Sequence, residues 1–147
     1  MKISTRGQYG TRLLMDTALH QGESLVSLKD IARRQEISLQ YLEHLTTPLT
    51  TAGLLKTSRG PRGGVRLAKP PDEIKLSEVI TVLEGSIAPV ECVDNPATCS
   101  RSELCATRDI WTEIKMAING VLQGTTLQDL AERQRRKENP KESMYHI

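Results

Sequence analysis

The chain has no Phe, one Trp (Trp111) and three Tyr in 147 residues, so its core must be aliphatic. No uninterrupted apolar run approaches the about 18 residues that a helix needs to cross a bilayer, and this excludes a helical membrane protein. The opening MKISTRGQYG lacks the apolar segment of a secretory signal, which points to a cytoplasmic protein. The 10 Gly follow no fixed period and no segment recurs, which excludes collagen-like and repeat architectures. Cysteine is scarce, odd in number and confined to one window, Cys92, Cys99 and Cys105. Three thiols in a reducing compartment do not make a disulfide framework. There is no G-x-x-x-x-G-K-[ST] loop, no paired acid–base constellation and no Ser/His/Asp cluster, so the sequence does not read as an enzyme.

What is present is divided. Residues 1–75 carry 12 Lys and Arg against 7 Asp and Glu, while residues 76–147 carry 8 against 11. The formal net charge of +2 therefore hides a basic half joined to an acidic one. A basic half suits an anionic partner such as nucleic acid, although a charged face is more often simply a solvated one.

Periodicity predicts a mainly α fold with one β-hairpin. Residues 5–20 repeat apolar side chains at helical spacing. Ser27 opens S-L-K-D, a helix-start signature in which the hydroxyl and Asp30 would satisfy first-turn amides, and a short helix over 28–35 follows. Ser38 caps a further helix with Leu39, Leu42, Leu45 and Leu49 on its buried side. Pro48 removes an amide donor there and predicts a kink near Thr47. The period then changes to two over Leu54–Ser58 and around Val65 and Leu67, with R-G-P-R-G-G as the turn between them. A helix from about Leu76 ends at Gly85. Residues 86–103 show no period and read as loop. Ile110, Ile114, Ile118 and Leu122 then form a stripe that Trp111, Met116, Ala117 and Val121 broaden. So wide an apolar face asks for cover from a second copy of the chain. A short helix starts at Thr126, and the charged, Pro-broken end reads as a mobile tail.

Two short helices around a tight turn, followed by a hairpin, form a winged helix-turn-helix. Ser38, Gln40, Tyr41 and Glu43 lie near the start of its second helix, where free amides and side chains can meet phosphate and base edges. Gln matches adenine in two-point fashion and Glu can accept from the cytosine amino group. Arg59, Gly60 and Arg62 form the hairpin tip, where arginines suit phosphates and narrow minor grooves. The same periodicity also occurs in small α-rich domains that bind no DNA.

The cysteines are spaced x6 and x5, unlike the C-x2-C pairs of zinc ribbons or the compact run of bacterial ferredoxins. Their clustering favours one shared soft-metal site over separate thiols, or over one disulfide and a spare thiol. Three thiolates leave a fourth ligand to be found. His20, His44 and His146 all lie far from the window in sequence.

The opening M-K-I-S-T-R-G-Q-Y-G, the segment S-L-K-D-I-A-R-R-Q-E-I-S-L-Q-Y-L-E-H-L, the wing R-G-P-R-G-G-V-R-L and L-S-E-V-I-T-V-L-E-G resemble the Rrf-type bacterial transcription regulators. So do the three cysteines and the Trp111 helix. The likeness spans all but the last dozen residues and is closest to the IscR-like, iron–sulfur cluster members. It implies a homodimer on double-stranded DNA with a long crossed C-terminal dimerisation helix. Ser38, Gln40, Tyr41 and Glu43 match the recognition helix, with Glu43 a discriminator between sites, and Arg59, Gly60 and Arg62 match the wing. Cys92, Cys99 and Cys105 match the ligands of an iron–sulfur cluster, 2Fe–2S in preference to 4Fe–4S. Two positions depart from the pattern. Arg108 stands where some relatives carry a His ligand three residues after the third Cys. Arg6-Gly7-Gln8-Tyr9 offers no carboxylate where nitric-oxide-sensing relatives take an Asp. The expectation is a DNA-binding domain over 1–85, a cluster-binding loop over 86–106, a dimerisation helix and short C-terminal helix over 107–135, and a flexible tail over 136–147. The function expected is a dimeric regulator sensing cluster or redox status. The alternatives are a cluster-free regulator of the same fold acting by thiol oxidation or a protein partner, and a zinc-binding module.

Overall fold

A computed structural model describes residues 1–141. Helix α1 (Thr5–His20) is followed by α2 (Leu28–Gln35), α3 (Leu39–Thr51) and the strands β1 (Leu55–Ser58) and β2 (Gly64–Leu67). Then come α4 (Leu76–Glu84), the single-turn α5 (Glu91–Asp94), α6 (Ala106–Gln123) and α7 (Leu127–Glu138). No helix among the described residues is long and apolar enough to cross a membrane. The architecture is mainly helical with one hairpin, as the periodicity predicts.

The core is aliphatic. Leu13 and Leu14 of α1, Ile31 of α2, Leu42, Leu45 and Leu49 of α3 and Val79 of α4 are at most 2% exposed. Burying each such side chain contributes roughly 1.5–3 kcal/mol. Leu127 and Ala131 of α7 complete the same cluster, so the last helix returns to the N-terminal body. Its entry is fixed by backbone bonds from Leu76 N–H to the Thr125 carbonyl and from Leu127 N–H to the Ile74 carbonyl, each 2.9 Å. Thr126 and Asp129 close a reciprocal capping box at its start.

The hairpin is antiparallel, pairing Leu55 with Leu67 and Thr57 with Val65. Val26 bonds Val65 through both its N–H and its carbonyl, at 2.8 Å each. The chain therefore enters α2 from the edge of the hairpin. This accounts for a departure from the expected helix start: the Ser27 hydroxyl makes no capping bond, and Asp30 faces Arg33 at 3.5 Å instead. Helix α3 runs through Pro48 to Thr51, held by the leucines on either side of it. The segment read as loop contains α5 and two 3-10 turns, Pro96–Thr98 and Ser102–Leu104. Pieces of three or four residues are too short to show a period. Of the charged tail, Arg136, Lys137 and Glu138 belong to α7, while residues 142–147 lie outside the described residues.

Candidate nucleic-acid interface and cysteine window

Helices α2 and α3 meet at Glu36, whose φ of 55° places it in the left-handed region. A non-Gly residue there is unfavourable by roughly 1–2 kcal/mol. It is held by Ile37, which is buried and donates from its N–H to the Ala32 carbonyl at 3.1 Å. Ser38 then caps α3, its hydroxyl accepting from Tyr41 N–H at 3.2 Å. The buried leucines fix the roll of the helix, leaving Gln40, Glu43, His44, Thr47 and Thr50 exposed.

A buried polar cluster ties α2 to α1. Asp16, wholly buried, receives Arg34 Nη2 at 2.7 Å and Arg34 Nε at 3.1 Å. Gln35 Nε2 donates to it at 2.9 Å, and His20 Nδ1 lies 3.3 Å away. The Asp16 carboxylate holds the Arg34 guanidinium above its ordinary pKa, chiefly through this hydrogen bonding. Arg12 adds a second tie: it donates to Gln35 through its guanidinium and covers the Tyr9 ring at 5.3 Å.

The sequence-predicted DNA residues fall into three places. Glu43, Arg59 and Gly60 line a groove of about 690 Å³ between α3 and the hairpin. Ser38, Gln40 and Tyr41 line a cleft of about 330 Å³ at the start of α3. Arg62 borders neither and stands exposed at the hairpin tip. That tip turns at Gly60, whose φ of 103° disfavours other residues. Tyr41 is only half exposed, because its ring packs edge-on against Tyr9 at 5.7 Å. It anchors α3 as well as bordering the cleft.

Several lining residues escaped the sequence reading. Lys29 and the threonines Thr46, Thr47, Thr50 and Thr51 line the groove, and Arg6 lines the cleft. The threonines have a legible signal, since their spacing runs them from the edge of the Leu42, Leu45 and Leu49 stripe, at Thr46, round to its outer side at Thr47 and Thr51. Arg6 has none, because only the tertiary fold sets the first turn of α1 beside α3.

The cysteine window lies between α4 and α6. All three thiols are free; Cys99 is exposed and the others are half-buried. Cys105 is the residue from which α6 starts, and its sulfur sits 3.0 Å from Thr107 Oγ1. The Thr107 hydroxyl, then the Arg108 amide, lower the Cys105 pKa, as a helix N-terminus does for a thiolate. Arg108, at the position some relatives fill with His, donates from Nε to the Cys92 carbonyl at 3.0 Å. Lys115 holds Asp94 at 2.5 Å, and Ser86 also bonds Asp94; these two partners depress the Asp94 pKa, Lys115 first. Ser102 Oγ lies 2.7 Å from the Pro96 carbonyl and 2.9 Å from that of Cys99.

Among the described residues no three His, Cys, Asp or Glu side chains are gathered closely enough to hold a metal ion. The donor set nonetheless suits a soft metal or an iron–sulfur cluster: three free thiols in one segment, one already biased toward thiolate. Gathering them requires the short turns between Cys92 and Cys105 to rearrange, and a fourth ligand must come from elsewhere.

Helix α6 buries none of its residues within the described chain. Ile110 is 50% exposed and Val121 68%. Three helical turns separate them, so they share a face.

The family described as "Rrf2: Iron-dependent Transcriptional regulator" matches residues 3–133. The chain is 45% identical over 130 residues to "Protein rrf2" of Nitratidesulfovibrio vulgaris, covering 88% of this chain and 87% of that protein. It is 38% identical over 130 residues to the HTH-type transcriptional regulator IscR of Aliivibrio salmonicida, covering 88% of this chain and 77% of that protein. The solved structure of CymR, the global cysteine regulator of B. subtilis, superposes with a TM-score of 0.77 at 42% identity. It covers 90% of this chain and 98% of that one.

Proposed function

This chain belongs to the Rrf2 family of DNA-binding transcriptional regulators, which are not enzymes, and on that premise we propose that it is a cytoplasmic homodimer whose cysteine window senses iron–sulfur cluster or redox status. The single observation that carries this reading is the segregation of chemistry. The exposed polar residues of α3 and the arginine tip lie in the basic body, while the three thiols lie in a separate segment joined to the apolar α6.

On duplex DNA, α3 lies in a major groove with its N-terminal end toward the bases. Gln40 and Glu43 read base edges, Ser38 and Tyr41 fix the start of the helix, and Arg59, Gly60 and Arg62 follow the backbone or the adjacent minor groove. Lys29 and Arg6 add charge at the rims. Glu43 is repelled by phosphate, so its presence favours sites where a base amino group can receive it. Each body presents one such face, and two copies joined along Ile110, Ile114 and Val121 read two half-sites.

Cys92, Cys99 and Cys105 would hold an iron–sulfur cluster, 2Fe–2S in preference to 4Fe–4S. When bound, that group supplies a redox-sensitive centre that prefers one loop arrangement. The residues of this chain then set the response. Arg108 and Lys115 hold Cys92 and Asp94 against α6 when the loop is open, and these contacts compete with gathering the thiols. A second reading has its own support: the depressed pKa of Cys105 and its free thiol suit direct thiol oxidation without a cluster.

Protein purified without oxygen and assayed for iron and sulfide separates the two. A visible charge-transfer band that Cys99→Ala removes while the fold persists supports the cluster. Colourless protein carrying zinc or no metal refutes it. For the DNA-reading face, the double variant Arg59→Ala/Arg62→Ala should lower affinity and reduce the slope of log K against log salt by about one for each phosphate that is no longer neutralised. Unchanged binding would remove the wing from the interface.

A further inference from the structure

The start of α1 meets the side chain of Glu84, the last residue of α4. Its Oε1 accepts from Ser4 N–H at 2.9 Å and from the Ser4 hydroxyl. That same hydroxyl accepts from Gly7 N–H at 3.1 Å and so caps α1. The carboxylate therefore closes onto the positive end of α1, where free amides and the helix dipole favour a negative charge. The fit depends on Gly7: a Cβ there would lie 2.1 Å from Glu84 Oε1. On its other side Glu84 borders an apolar cleft of about 350 Å³ with Ile3, Ile87, Ile118 and Val121. Helix α6 thus lines the far side of the same cleft.

The position of Glu84 along the chain gives this contact its meaning. Gly85 follows it, with φ 75°, and turns the chain out of α4 into the segment that leads to Cys92. In the opposite direction, the turn that Ser4 caps carries Arg6, which lines the cleft with Gln40 and Tyr41. One carboxylate, beside a cleft that α6 also lines, therefore joins the root of the cysteine window to the turn that places a cation beside the start of α3. The neighbouring close approach, Leu83 against Gly10, is apolar and fixes only the spacing of α1 and α4. Glu84 is the polar contact between those helices that touches the end of α1 nearest the reading face.

We propose that Glu84 is a positioning residue that couples the state of the cysteine window to DNA binding, by latching Ser4 and thereby setting Arg6 relative to α3. The proposal rests on the reading that α3 and Arg6 face DNA. Coupling of this kind is reciprocal and is measured as a ratio of affinities.

The test uses the full chain and a duplex carrying its operator, with reduced protein compared against protein whose thiols have been capped by iodoacetamide. The wild-type affinities for the two states should differ about fivefold or more. In Glu84→Ala the ratio should fall below about two, with helix content and thermal melting retained. Gly7→Ala expels the carboxylate without removing any polar group, in a change that helix propensity favours. It should collapse the ratio in the same way, whereas Glu84→Asp should restore part of it. A purely structural role would alter melting and leave the ratio intact. A ratio near one in the wild type, or a wild-type ratio kept by both Glu84→Ala and Gly7→Ala, overturns the latch. Absence of any specific DNA binding in the wild type overturns instead the reading on which it rests.

Discussion

The N-terminal body and the α6 arm are built on opposite terms. In the body, leucines from α1, α3 and the hairpin are sealed from water, and α7 closes the same core. No buried side-chain polar atom among the described residues lacks a partner. In the arm, an 18-residue helix carrying three Ile, one Trp and one Met fully buries none of its residues within the described chain, and its cysteine window is pinned by a few polar contacts. The body's core is complete in one chain, whereas the arm's apolar face stays partly open to water, with Ile110 and Val121 exposed. The lesson is that the two regions are held on different terms, close apolar packing in the body and a few polar bonds in the window, so the window can change shape without unfolding the body.

The most severe test of this contrast is Asp16→Ala. It removes the buried acceptor of Arg34 and Gln35, and because the Arg34 side chain can turn to water it should destabilise the body by about 1–3 kcal/mol in thermal or urea unfolding. A loss under about 1 kcal/mol would mean the buried pair does not organise the body.

Next in size is Ile110→Asp/Val121→Asp on the exposed face of α6. Light scattering should show a monomer, and operator affinity should fall because two half-sites are no longer read together. The melting of the body should change by no more than about 0.5 kcal/mol equivalent, as for other exposed positions. If the body unfolds with the dimer, the two regions are not independent.

The smallest effect is expected at Asp129, whose carboxylate is held below its usual pKa by the Thr126 amide and hydroxyl. A depressed carboxylate adds stability above its unfolded pKa of about 3.9 and loses it as pH falls through the lower folded value. Asp129→Asn should therefore be slightly less stable than wild type at neutral pH, with the gap closing on acidification toward pH about 3. A gap that does not vary with pH would assign the cap to geometry alone.

Much of the body was legible because its signals are local. The leucine stripe of α3, the Ser38 cap, the glycine-rich turn and the change of period at Leu54 each lie within a few residues. Ser27 misleads for a non-local reason, since Val26 is taken up by Val65 from the far side of the hairpin. The same holds for Arg6, which enters the cleft only through the tertiary packing that sets α1 beside α3, and for Asp16, an ordinary charged residue in sequence whose partners lie 18 and 19 positions away. In the window, the bonds from Arg108 to Cys92 and from Lys115 to Asp94 cross 16 and 21 positions. No spacing rule anticipates them. Clustering of the three cysteines was visible at once, whereas their spread across separate short turns was not.

The paired backbone bonds that join residues 74–76 to 125–127 give α6 one fixed end. Its 18 residues extend about 27 Å from that anchor, and Cys105 sits at the free end. In geometric terms helix α6 is a lever arm with its fulcrum at those bonds. A tilt of about 10° at the fulcrum sweeps the Cys105 end through about 5 Å at a 1.5 Å rise per residue. By the same geometry, a displacement of a few ångströms at Cys105 corresponds to a rotation of only about 10° or less at the fulcrum.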